Sequence, residues 1–246
     1  MSVQLLPLRE NHFDKFELEE NLNLFKNFKL KIIEKNKNWF YGNKSEIEFE
    51  LAICDEINDI DRRFDIFDLL EIINKKINNQ DYFRCRDVCT RPDENNRFVM
   101  YPNHNFINNQ LKLINEKYFF SNSPCVLNAI AIYIGILHVH PLIDGNGRAA
   151  RIIFNYYLLK FIGNVEYINI KKLNLKFDCI YKYSINLFEI FGVENFVLIY
   201  FSILFGSVVS FDDHLIDMVE KYLDNSAFYS VFPDFDCRSI FLITKF

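Results

Sequence analysis

The chain has 246 residues, half of them hydrophobic, with 27 Phe and 13 Tyr. Such a chain can bury a sizeable core, which excludes intrinsic disorder. Its net charge is -5, and no basic stripe interleaved with aromatics stands out, so nucleic acid is not the expected partner.

Six cysteines stand at positions 54, 85, 89, 125, 179 and 237, none of them spaced Cys-x-x-Cys. They read as reduced thiols of a cytoplasmic protein, or of an effector delivered into a host cytosol. Arg9 and Glu10 interrupt any apolar region after Met1, so no signal peptide is expected. The apolar runs 126–137 and 196–209 fall short of the roughly 20 residues a bilayer-spanning helix needs, so no membrane span is expected.

In chain order, residues 1–44 are polar and rich in Asn and Lys, a helical N-terminal extension. Residues 45–79 carry a helical pattern in two pieces. Ser45 can cap the first, with Glu46 and Glu48 in its favourable first turn and Ile47, Leu51, Cys54 and Ile57 on one face. The second, 65–77, repeats the pattern through Phe67, Leu70, Ile73 and Ile77. Then the period changes. Over 83–102 two extended arms flank a polar, turn-rich tip and predict a β-hairpin, with Phe83, Val88, Phe98 and Val99 on its arms. Helices follow over 106–119, 124–138 and 147–162, the last closed by Gly163 and Asn164. Two more fill 178–208, and the tail holds one over 212–223. The expected architecture is all-α with one hairpin: an extension (1–44), the main domain (45–205) and a partly helical tail (206–246).

Between two of these helices runs His140-Pro-Leu-Ile-Asp-Gly-Asn-Gly-Arg-Ala-Ala-Arg151. The loop lies on a helix N-terminus, where unpaired backbone N–H groups and the positive end of the dipole favour an anion. Gly145 and Gly147 allow a sharp turn and close approach, which makes an anion nest suited to phosphate. Asp144 at its mouth is placed to hold Mg²⁺ beside phosphate oxygens. Arg148 and Arg151 share one helix face and can clamp two phosphate groups, and Asn146 offers amide donors. His140 is placed to take a proton from an incoming hydroxyl. Together they predict phosphoryl or nucleotidyl transfer. His138 and His140, two apart on a helix, do not face together as a metal pair. Gly42-Asn-Lys-Ser45 lacks the glycines of a phosphate-binding P-loop.

This stretch resembles the signature of the Fic family, His-Pro-Phe-x-(Asp/Glu)-Gly-Asn-Gly-Arg-x-x-Arg, with Leu142 in place of Phe. The resemblance extends over roughly 45–205 and aligns Asn155 as well. It implies a helical Fic fold with a hairpin flap, beginning at Phe83-Arg84 and ending at Pro102, that registers a target segment by strand addition. It also implies transfer of AMP from ATP, with Mg²⁺, to a Tyr, Ser or Thr hydroxyl of a target protein. His140 and Asn146 would be catalytic, Asp144 would hold the metal, and Gly145, Gly147, Arg148, Arg151 and Asn155 would hold the nucleotide. Tyr181, in Tyr-Lys-Tyr, is the nearest match to the family's adenine-packing tyrosines. The family's inhibitory helix, (Ser/Thr)-x-x-x-Glu-(Gly/Asn), points to Glu48 as a partner of Arg151, although Lys44 and Phe49 depart from the pattern. Removal of AMP, transfer of UMP or phosphocholine, and an inactive binding module are the alternatives, and a homodimer is left open.

Overall fold

The structure, a computed structural model, describes residues 2–4, 44–60, 62–92, 96, 98–122, 124, 126–163 and 167. Of the helical extension expected over 1–44 only residues 2–4 and 44 are described, and 2–4 form a strand instead; the helices expected over 178–208 and 212–223 lie outside these residues, as does Tyr181.

Among the described residues, helix dominates, as the resemblance implied. The core element is α4 (Val126–Val139), which follows β1 (Ser2–Gln4), α1 (Lys44–Asn58), α2 (Ile66–Asn78), β2 (Phe98–Met100) and α3 (Ile107–Ile114). Every residue from Ala129 to Val139 is buried, because the helix is apolar on all sides and is covered by its neighbours. α3 crosses it so closely that a Cβ on Gly135 would stand 2.6 Å from Ile114 Cδ1. α5 (Asn146–Tyr157) returns along α4, with Tyr133 and Phe154 meeting edge to face at 5.9 Å. Both α3 and α5 run on into a π turn, at Asn115–Phe119 and Leu158–Ile162.

α1 and α2 pack against α5. The buried face of α1 is Glu50, Ile53, Cys54 and Ile57, the i, i+3, i+4, i+7 stripe of an amphipathic helix. α2 begins at a capping box, in which Asp65 accepts from the Asp68 N–H at 2.8 Å and Asp68 accepts from the Asp65 N–H at 3.3 Å. It ends at Asn79 in the left-handed region; of the predicted stripe Leu70 and Ile73 are buried and Phe67 and Ile77 half-buried, because the helix turns Ile66 and Leu69 inward.

The predicted hairpin is reduced to a single point of pairing among the described residues. Cys89 and Met100 form one antiparallel bridge, and the Tyr101 N–H donates to the Val88 carbonyl at 3.0 Å. The first arm is drawn elsewhere: the Arg84 N–H donates to the Pro141 carbonyl at 2.9 Å, and Pro92 has no N–H to give to a ladder. β2 pairs in parallel with β1, in the register Ser2–Phe98, Val3–Val99, Gln4–Met100.

Candidate active site

The site is built where α4 ends and α5 begins. His140 follows α4 directly, its N–H donating to Ile136 at 2.9 Å and its backbone at φ 52. A left-handed residue commonly closes a helix, but it is costly for a side chain with a Cβ and needs support. Arg84 supplies it. Its buried guanidinium donates to the carbonyls of His140 (2.7 Å), Val139 (3.2 Å), Arg86 (2.9 Å) and Pro102 (2.5 Å). One cation thus caps the negative end of α4 and ties both arms of the flap to the loop.

The imidazole of His140 is stacked on one face rather than free. Tyr101 stacks on it at 3.7 Å with an interplanar angle of 15°. Its Nδ1 lies 3.4 Å from the Leu137 carbonyl. With the proton on Nδ1, Nε2 keeps its lone pair for a substrate proton. Burial pushes the His140 pKa down to about 4, so the ring is neutral at pH 7.

After Pro141, Leu142 is fully buried, so it keeps the core role of the Phe it replaces. Asn146 brackets it from below, donating to the Leu142 carbonyl and accepting from the Leu142 N–H, both at 2.8 Å. Its buried amide therefore braces the loop rather than standing open as a row of donors. Gly145 has φ 79, and a Cβ there would stand 2.9 Å from Ile77 Cγ2, so both backbone and neighbour require glycine. Gly147 differs: it lies in the first turn of α5 with no left-handed backbone, and a Cβ would meet Arg151 Nη1 at an ordinary 3.5 Å. Its contribution is open space at the helix end, not the turn.

Asp144 is exposed, its carboxylate 3.4 Å from Arg148 Nη2. Its carbonyl accepts from Asn78 at 2.8 Å, which ties the nest to the end of α2. No group of three or more His, Cys, Asp or Glu suited to a metal occurs among the described residues, the exposed Cys85 and Cys89 and the buried His138 included. A single accessible carboxylate beside an anion nest suits Mg²⁺ all the same, because that ion takes most of its ligands from phosphate and water.

Arg151 corrects the expectation for Glu48. Its guanidinium forks onto Glu50, with Nε 3.1 Å from both carboxylate oxygens and Nη2 bonded to Oε1. The Tyr167 hydroxyl donates to the same carboxylate. Glu48 is exposed and stands two positions from Glu50, about 200° around the helix. Burial opposes the Arg151 charge, but the hydrogen bonds and charge of Glu50 outweigh it and raise its pKa above the ordinary value. Burial and the Glu50 charge likewise raise the pKa of Tyr167. Asn155, one turn beyond Arg151, is buried and donates to the Arg151 carbonyl at 2.9 Å. Of the flap residues, Phe83 packs 6.3 Å from Phe67, Val88 accepts the one inter-arm backbone bond, and Phe98 and Val99 lie in β2.

The sequence reading passed over Tyr101, Asn78, Glu50 and Tyr167, and met Arg84 only as part of a motif. Glu50 had a signal: it sits three, four and seven residues before Ile53, Cys54 and Ile57, on the stripe that faces α5. The others come together only through the fold.

His140, Asp144, Arg148 and Arg151 thus stand around a glycine-built helix start in a mostly helical domain. Residues 55–158 match the model of the Fic/DOC family. It is similar to a Fic family protein from Desulfovibrio desulfuricans G20, at 15% identity and a TM-score of 0.48, covering 89% of this chain and 66% of that one. It is also similar to a Fic domain containing signaling protein from Bacteroides thetaiotaomicron VPI-5482, at 17% identity and a TM-score of 0.43, covering 96% of this chain and 92% of that one. No curated protein matches the sequence. No helix among the described residues is long and apolar enough to cross a membrane.

Proposed function

We propose that the protein is an adenylyltransferase that moves AMP from ATP to a Tyr, Ser or Thr hydroxyl of a target protein. The observation that carries the reading is the pairing of a neutral, clamped His140 with the nest at the start of α5, two parts that serve an in-line attack on phosphorus. His140 Nε2 takes the hydroxyl proton as the substrate oxygen bonds to the α-phosphorus. The bond from that phosphorus to the β-phosphate bridging oxygen breaks, and pyrophosphate leaves. N–H groups at the start of α5 face the charge that develops on the α-phosphate, usually the largest catalytic contribution. Arg148 lies at the mouth for the β-phosphate, and Arg151, once released from Glu50, would meet the γ-phosphate. Asp144 would hold Mg²⁺, which supplies neutralisation of phosphate charge.

The bidentate hold of Glu50 on Arg151 supports autoinhibition, with Glu50 in the role the sequence suggested for Glu48. It places a negative charge where the γ-phosphate has to sit.

The test is incubation with labelled ATP and Mg²⁺ plus a cell lysate, comparing wild type, His140→Ala and Asp144→Ala. His140→Ala should lose about 100- to 10,000-fold in labelling while still binding ATP. Asp144→Ala should lose Mg²⁺-dependent ATP binding as well. Wild-type labelling by either variant removes its assigned role, and silence with every nucleotide points to a binding module.

A further inference from the structure

Two side-chain amides run in file from the root of the flap to the phosphate nest. Asn74, buried in α2, donates from Nδ2 to the Tyr82 carbonyl at 3.0 Å. Its Oδ1 accepts from Asn78 Nδ2 at 2.8 Å, and Asn78 Nδ2 also donates to the Asp144 carbonyl at 2.8 Å.

The file has one direction. A backbone carbonyl can only accept, so Tyr82 fixes which end of the Asn74 amide faces it. The other end, Oδ1, is left toward Asn78, where only a donor fits. Both hydrogens of the Asn78 amide nitrogen are then used, one on Asn74 and one on Asp144.

The Asp144 carbonyl belongs to the peptide that enters Gly145. In a trans peptide the C=O and N–H point opposite ways, so a carbonyl drawn to the end of α2 aims the Gly145 N–H away from α2. Gly145 is left-handed, at φ 79 and ψ 11, and Asn146 after it is helical. That alternation turns successive N–H groups into one concavity, the nest at the start of α5. Glycine tolerates either sign of φ, so the residue itself does not stop this peptide from turning over. Turned over, the peptide would present the Asp144 carbonyl to a phosphate in place of a donor.

We infer that Asn78, aligned by Asn74, is a positioning residue that holds the Asp144–Gly145 peptide with its N–H toward the phosphate. The inference rests on the phosphate-transfer reading proposed above, because it assigns a task within the same site. It also gives the flap a second tie to the loop. Arg84 joins the flap to the His140 carbonyl, and the two amides join Tyr82, two residues earlier, to the nest.

The test is calorimetric binding of inorganic pyrophosphate, without metal, to the full chain and to its Asn78→Leu variant. Leucine is close to asparagine in shape and favours the helix, but it donates nothing. The variant should bind about 3- to 10-fold more weakly, in line with the net contribution of one hydrogen bond. In ¹H–¹⁵N spectra the Gly145 amide proton should move downfield as pyrophosphate saturates the wild type, and should move less at saturation of Asn78→Leu. A general loosening of the loop would weaken binding without changing the bound state, so this second reading isolates the peptide's orientation. Equal pyrophosphate affinity in the two proteins, or an equal Gly145 shift at saturation, overturns the inference and leaves the phosphate site standing. No pyrophosphate binding by the wild type removes the phosphate-transfer reading and the inference with it.

Discussion

Glu50→Ala should free the enzyme and weaken the fold at once. In the wild type the carboxylate is 1% exposed and the Arg151 guanidinium is 8% exposed, so neither charge has much water around it. Removing one partner of a buried pair typically costs about 3–5 kcal/mol, because the other charge is left uncompensated. At roughly 2–4 °C per kcal/mol for a chain of this size, the melting temperature of the nucleotide-free protein should fall by about 6–20 °C. The same change opens the γ-phosphate position. If the wild type holds ATP about 1 Å out of line, relief should speed transfer by up to about 100-fold. ATP should then restore the partner that Arg151 lost, so it should raise the melting temperature more in Glu50→Ala than in wild type. Thermal melts with and without ATP and Mg²⁺, alongside self-labelling at equal protein, read both effects. Glu48→Gly serves as the control and should leave the labelling rate near wild type. If Glu50→Ala labels no faster and melts where the wild type does, the pair neither inhibits nor stabilises.

Two further outcomes follow from the loop. Arg84→Met removes the donors to four carbonyls around His140, so kcat should fall about 10- to 100-fold while KM for ATP stays within about 2-fold. Arg84→Lys should recover part of kcat, and an unchanged kcat in Arg84→Met would remove the positioning role. His140 is pushed down to about 4 from an ordinary 6.5, chiefly by burial. The unfolded chain therefore takes up this proton first on acidification. The contribution of the neutral ring to stability is complete above about pH 6.5 and is lost as the pH falls to about 4, by about 3 kcal/mol in all. Denaturant unfolding across that window should show the slope in wild type and lose most of it in His140→Gln. An identical slope in both would place the titrating group elsewhere.

Much of the site was legible in the residues themselves because its parts are local. His140, Asp144, Gly145 and Arg148 fall within nine positions of one helix–loop–helix, and backbone geometry alone brings them to one helix end. The buried helix α4 was legible because it is apolar on every side, whereas only Leu70 and Ile73 of the stripe expected in α2 are buried. What depended on tertiary structure were the long-range pairings, since no local rule chooses among several candidate partners. Glu48 stands at the position the pattern expects and Glu50, equally acidic, two residues on. The choice between them is made by which side of α1 packs on α5, and the stripe of Ile53, Cys54 and Ile57 turns Glu50 inward. Alternating arms and a polar tip predict a self-contained hairpin for the flap. Arg84 holds one arm to the end of α4, and the other arm pairs with residues 2–4 instead. A strand's hydrogen bonds are generic, so its partner is settled by which backbone the rest of the fold brings alongside.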